Sequence, residues 1–282
     1  MGVRIVTDSS CDLSQDEADQ LAILIVPLSI RFGTEEFTDR VDLSVTEFYR
    51  RLSESDQLPE TAAPAPGAFE TAFRAAADAG ADAVVCINLS SELSATIQSA
   101  LTAAKAFEGT FDVRIVDSRS ITLGLGTQVI AAAEAARDGK SAAEIVAMVE
   151  DMATRTRMIG ALDTLENLKK GGRIGGAQAL VGNLLSIKPL IDVSTGRVEE
   201  AGKARTRKKA LQWLASRLLE EHAVERLSVA HGEAPDLDEF LGLIAARYPR
   251  EDIRIGVIGA VIGTHAGPRV MGVTWQRPPG AT

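Results

Sequence analysis

The stretch "GTHAGP" (263–268) sets one of only three histidines of the 282-residue chain between glycines, just ahead of a proline. An imidazole on such permissive backbone can donate a hydrogen bond or change charge near neutral pH. A loop histidine with no duty is the bland alternative for His265. Three other stretches are rich in hydroxyls: "TDSS" (7–10), "SSELSAT" (90–96) and "DSRSIT" (117–122). Hydroxyls and free helix N–H groups can hold an anion without a buried ion pair. Capping alone explains any single one of these loops, with Ser91 or Ser94 opening a helix. Three such loops on one sheet edge favour an anion site. "GGRIGG" (171–176) lacks the glycine spacing of a dinucleotide fingerprint and follows no strand. On its own it reads as a flexible turn carrying Arg173. "TRKKA" (206–210) reads as a solvated basic turn of helix.

Other chemistries are weaker. Ser94, His265 and either Asp8 or Asp117 could form a hydrolase or phosphatase triad, but no G-x-S-x-G elbow is present. A module for another small anion, such as a sugar phosphate or a phospholipid precursor, is a third class. His222 and His231 fall in helix and strand contexts and read as structural. No histidine and carboxylate grouping has metal-ligand spacing, and two distant cysteines make neither a disulfide framework nor a zinc site. No metal and no cofactor are therefore expected, and Cys86 in "AVVCINL" reads as a small core residue.

The elements that must position these groups follow two patterns. In residues 1–155 apolar strand-length runs alternate with helical periodicity: strands over 3–6, 82–89 and 113–118, helices over 44–55 and 125–155. A further apolar strand region runs through "AILIVPLSIRF" (22–32). Ser14 and Glu17 have capping-box spacing, and Gly80 closes an Ala-rich helix. Such alternation implies parallel pairing and a doubly wound α/β lobe. Residues 156–282 read as an α+β lobe. It has a hairpin around "STG" (194–196), a helix over 205–221, and strands on both sides of the Gly/His loop. Residues 279–282 are expected to fray.

Composition bounds the rest. Hydrophobic residues make up 45% and net charge is −9. A packed globular protein is expected, and nucleic acid is disfavoured as a partner because phosphate binding rests on Lys and Arg. The opening "MGVRIVTDSS" reads as strand and loop rather than leader, and no apolar run reaches the ~18 residues of a membrane span. A cytoplasmic protein without an integral membrane segment is the expectation.

In order along the chain, "VTDSS", "ETAAPAPGAF", "SSELSATIQSA", "VDSRSITLGLG", "LENLKKGGRIGG", "LLSIKPLI" and "GTHAGPRVMGV" resemble the DegV family, the fatty-acid-binding proteins of bacterial fatty-acid kinase systems. The resemblance implies a two-lobed DegV-like fold and a long-chain fatty acid whose tail fills an apolar tunnel. It also implies a separate ATP-dependent kinase as partner, transient membrane contact, and transfer of the acyl phosphate to phospholipid synthesis. The chain would then be a substrate-presenting subunit with no autonomous catalysis. The family's carboxylate-binding residues fall on Thr61 and Ser94, and its residues for kinase engagement or phosphoryl transfer on Arg173 and His265. Ala62, Ala63 and Ala65 replace polar residues of the threonine loop. Ala95 replaces Gly, Ile97 replaces Tyr, and Arg269 stands where Gly is usual.

Overall fold

The computed structural model describes residues 2–55, 57–180 and 187–280, except the side chains of 179 and 180. Residues 184–186 of "LLSIKPLI" and the last two of the expected frayed tail lie outside the described residues. The first half runs β1 (Val3–Asp8), α1 (Gln15–Gln20), β2 (Leu24–Val26), β3 (Ser29–Phe32), β4 (Glu35–Thr38), α2 (Val45–Glu54), β5 (Glu60–Ala62), α3 (Pro66–Asp78), β6 (Ala83–Asn88), α4 (Thr96–Ala104), β7 (Asp112–Asp117), α5 (Thr122–Arg137) and α6 (Ala142–Arg155). The second half runs β8 (Thr156–Ala161), α7 (Glu166–Lys170), β9 (Lys188–Asp192), β10 (Glu199–Ala204), α8 (Arg207–Leu219), β11 (Glu225–His231), α9 (Leu237–Ile244), β12 (Arg254–Val257), α10 (Ala260–Ala266) and β13 (Met271–Gln276).

Local chemistry sets many of these boundaries. Ser14 and Glu17 form the expected reciprocal cap of α1, and Ser141 and Glu144 do the same for α6. Pro66 opens α3, where its missing N–H costs no helical bond.

The strands β2-β1-β6-β7 form a wholly parallel sheet. Alternate side chains face opposite ways, as strand geometry requires. Val6, Val84 and Cys86 join Phe69 and Phe73 on one side, whereas Ile5, Val85 and Ile87 join Val129 and Ile145 on the other. This is the expected doubly wound lobe. The second sheet, β10-β9-β8-β13-β11-β12, is antiparallel except for the β11–β12 pair. Helices α8 and α9 cover one of its faces through residues such as Leu214 and Phe240. Helix α5 packs against both β1 and β11, and 13 of its 16 residues are buried. Burial on nearly every side suits its place between two sheets, with Gln128 satisfied by Ser118 O.

Two readings need correction. "AILIVPLSIRF" holds two strands, one on either side of Pro27. β2 edges the parallel sheet, and β3 pairs with β4 and β5 in a small antiparallel sheet. Pro27 has no N–H with which to continue a ladder. Second, the run before His265 is helix α10, not a strand. A short apolar run carries no periodicity that separates the two states.

Candidate functional site

Thr61, Ser94, Arg173 and His265 lie 204 residues apart at the extremes, yet they line one cavity of ≈ 140 Å³. Among the described residues, they are its only polar side chains. The remaining wall is aliphatic, with Leu28, Ile121, Ile191, Val198 and Ile262 among its members. Larger clefts of ≈ 650 Å³ beside Arg157 and ≈ 930 Å³ beside Asp112 are more open and more polar, and neither gathers these four residues.

Each of the four is brought in by a different element. Thr61 sits in the middle of β5, in register with Ile30. The small sheet thus holds Thr61 on a strand paired with β3. Ser94 precedes α4, where its hydroxyl accepts from Thr96 N–H at 3.2 Å and lies 2.9 Å from Thr96 Oγ1. Ala95 occupies the cap position itself. Arg173 follows α7. Its Nε donates to Leu93 O at 3.2 Å and its Nη1 to Gly171 O at 2.7 Å. The flexible-turn reading of "GGRIGG" therefore gives way to an anchored arginine on the cavity wall.

His265 occupies the last turn of α10, with its Nε2 2.9 Å from Thr61 Oγ1. Its Nδ1 is buried, with no partner among the described residues. Gly171 explains how the ring fits: a Cβ there would stand 2.3 Å from Nδ1. Burial, reinforced by the nearby Arg173 cation, pushes His265 down to about 4. The imidazole is thus neutral at physiological pH in this structure, which corrects the expectation of a charge change near neutrality. A neutral ring donates from one nitrogen and accepts at the other.

The three hydroxyl-rich loops do not contribute equally, contrary to the reading that set them together. In the first, Asp8 is fully buried and accepts from Ser10, Asn88 and Leu89 N–H, while Ser9 Oγ accepts from Leu28 N–H. In the third, Asp117 accepts from Ser91 and from Arg119 N–H, and Ser118 and Ser120 are buried. Only "SSELSAT" places a hydroxyl in the cavity. Its Ser90 instead donates to Gly196 O at 2.6 Å, tying this loop to the β9–β10 turn.

The same bonds dismantle the triad. His265 pairs with Thr61 rather than Ser94, and its other nitrogen meets no carboxylate among the described residues. Asp8 and Asp117 are committed elsewhere.

Of the departures from the family pattern, Ala62, Ala63 and Ala95 line the cavity and make its polar end more apolar. Arg269 has φ of 60°, the left-handed region that favours glycine. Its guanidinium lies 3.7 Å from Asp163, and it is not among the cavity-lining residues. Sequence reasoning missed three residues: Asn167, whose Nδ2 donates to Thr264 O on α10, and the Asp12–Arg40 pair. Distances of 97 and 28 positions left no local signal for either.

The family model for "Uncharacterised protein, DegV family" matches residues 2–277. A DegV domain-containing protein of Deinococcus radiodurans is 38% identical over 98% of this chain and 99% of its own length. Among solved structures, a fatty-acid-binding DegV family protein from Thermus thermophilus superposes with a TM-score of 0.88 at 34% identity, covering 98% of this chain and 99% of its own. A fatty-acid (stearic acid)-binding protein from Eubacterium ventriosum superposes with a TM-score of 0.87 at 26% identity, covering 98% of both chains. Among the described residues, no helix is long and apolar enough to cross a membrane.

Proposed function

The chain belongs to the DegV family, and on that premise we propose that it binds a long-chain fatty acid and presents the carboxylate to a separate ATP-dependent kinase. The observation that carries the reading is the cavity wall: otherwise aliphatic, it carries four polar side chains, with Thr61 bonded to His265, Arg173 near His265, and Arg173 bonded to the residue before Ser94. An amphiphile with a single polar end has that pattern. The likeness to the Thermus and Eubacterium proteins supports the fatty-acid class.

In this proposal Thr61 and Ser94 donate hydroxyl hydrogens to the carboxylate. A ring protonated on Nε2 donates to Thr61 Oγ1, which leaves the threonine O–H free for the ligand. A bidentate arginine clamp would occupy both carboxylate oxygens. Hydroxyls hold the anion while leaving one oxygen open to attack. Transfer forms a bond between that oxygen and the γ-phosphorus of ATP, breaks the bond from that phosphorus to the β–γ bridging oxygen, and releases ADP from the kinase. The product carries more negative charge than the carboxylate. Arg173 offsets part of it, and the added charge makes protonation of His265 easier than in the empty site. The acyl phosphate then leaves with the protein, in the cytoplasm and through transient membrane contact, towards phospholipid synthesis.

The first test is mass spectrometry of the organic extract of denatured protein, followed by phosphorylation of loaded protein by a fatty-acid kinase with ATP. A saturated or unsaturated long-chain acid in the extract, converted to acyl phosphate, is the expected result. An empty extract with no thermal shift on adding fatty acid sinks the proposal.

A further inference from the structure

The helix that carries His265 is short, and its position is set at the end opposite the histidine. α10 spans seven residues, so at ~1.5 Å per residue its first turn and His265 form one rigid piece. Gly259, the residue before it, donates its N–H to Asp12 Oδ1 at 2.9 Å. Asp12 belongs to the turn after β1, 247 positions earlier. The same oxygen accepts from Arg40 Nη2 at 2.8 Å, and Arg40 Nη1 donates to Leu13 O at 3.2 Å. A carboxylate at this place complements the positive end of the helix. The contact leaves no slack: a Cβ on residue 259 would lie 2.6 Å from Asp12 Oδ1 and 3.0 Å from Arg40 Nη2.

Alongside, Tyr49 donates its hydroxyl to Ile258 O at 3.0 Å, and a Cβ on Gly263 would meet Phe48 and Tyr49 at 2.8 Å. At the far end Asn167 holds Thr264 O. The helix is therefore gripped from the first half of the chain at its start and along its side.

We infer that Asp12, held by Arg40, is a positioning residue for His265: it fixes the start of α10 and so decides where the imidazole stands against Thr61. This rests on the proposed function for its catalytic consequence, but not for its geometry. Asp12 is 7% exposed, and its second oxygen has no partner among the described residues. Asp39 and Asp8 also face this buried corner, with Arg40 the cation among them. Burial, with Asp39 adding to it against the pull of Arg40, raises Asp12 to about 7.

The test uses the full chain with isotope-labelled histidine, whose three ring signals are assigned with His265→Gln. Asp12→Ala removes the acceptor, whereas Asp12→Asn keeps an oxygen for Gly259 N–H and removes the charge. Asp12→Ala is expected to move the His265 ring signals while those of His222 and His231 stay. Acyl-phosphate formation should fall roughly 10–100-fold, the usual consequence of a reacting group misplaced by about 1 Å, with fatty-acid affinity little changed. Asp12→Asn is expected to restore most of the His265 signal position and rate. An unmoved His265 signal in folded Asp12→Ala overturns the inference. If that variant does not fold, Gly259→Ala, which pushes on the same contact, must move the signal. The ring signals are read without fatty acid or kinase, so failure of the proposed function leaves this result separately readable.

Discussion

The imidazole Nε2 of His265 lies 2.9 Å from the hydroxyl of Thr61, which joins the second and first halves of the chain at the polar end of an apolar cavity. The bond links Thr61, proposed to hold the carboxylate, with His265, proposed to serve phosphoryl transfer. Substitutions at the four polar residues should therefore separate binding from turnover, with Thr61 coupled to both.

The protein is expected to purify with a long-chain fatty acid. Burial contributes ~0.8 kcal/mol per methylene, so about fifteen buried carbons give roughly 12 kcal/mol before ordering costs. Delipidated protein should melt at a lower temperature and recover on adding fatty acid, as mass action requires. A thermal melt series from octanoate to oleate checks this, and no shift with any of them is the adverse result.

Thr61→Ala and Ser94→Ala should each weaken fatty-acid binding roughly tenfold, because each would remove one of the proposed hydrogen bonds to the charged head group. Isothermal titration of delipidated protein measures the change. Unchanged affinity in both variants would place the head group elsewhere.

Arg173→Ala and His265→Ala should bind fatty acid nearly as the parent does, yet form acyl phosphate far more slowly in single-turnover assays with kinase and ATP. Direct binding to the kinase then separates loss of docking from loss of chemistry. Parental rates in both variants would leave the histidine without a role in transfer.

Gly171→Ala should damage the site without unfolding the chain, since its added methyl would meet the His265 ring at 2.3 Å. The expected signature is a displaced His265 ring signal and a loss of acyl-phosphate formation exceeding the loss of affinity. A variant indistinguishable from the parent would show that the ring has room to move.

Stability should respond to pH through two groups with opposite signs. His265 is lowered from 6.5 to about 4, so its contribution is complete above 6.5 and is lost as pH falls through 4. Asp12 is raised from 3.8 to about 7, so its contribution is complete below 3.8 and is lost as pH rises through 7. Denaturant midpoints across this range should therefore fall less on the acid side in His265→Gln, and less towards neutrality in Asp12→Asn. Parallel curves for parent and variants would contradict the assigned shifts.

Much of the architecture was legible along the chain. Alternating apolar runs and helical periods revealed the parallel sheet, because those periodicities arise within a few neighbouring residues. The capping box at Ser14 is equally local. The order of the glycine-rich and hydroxyl-rich stretches pointed to the family and to Thr61, Ser94, Arg173 and His265.

Tertiary structure alone decided what those residues meet. Three loops with similar hydroxyl content had three fates: "TDSS" became buried scaffolding, "DSRSIT" joined Ser91, and "SSELSAT" sent one hydroxyl into the cavity. The run before His265 is helix, held in place by Asp12, Phe48 and Tyr49 from far away in sequence. The charge of the imidazole was equally invisible, since burial beneath distant elements and the nearness of Arg173 set it. Sequence patterns report contacts within a turn or a strand; burial and electrostatics depend on groups that only folding brings together.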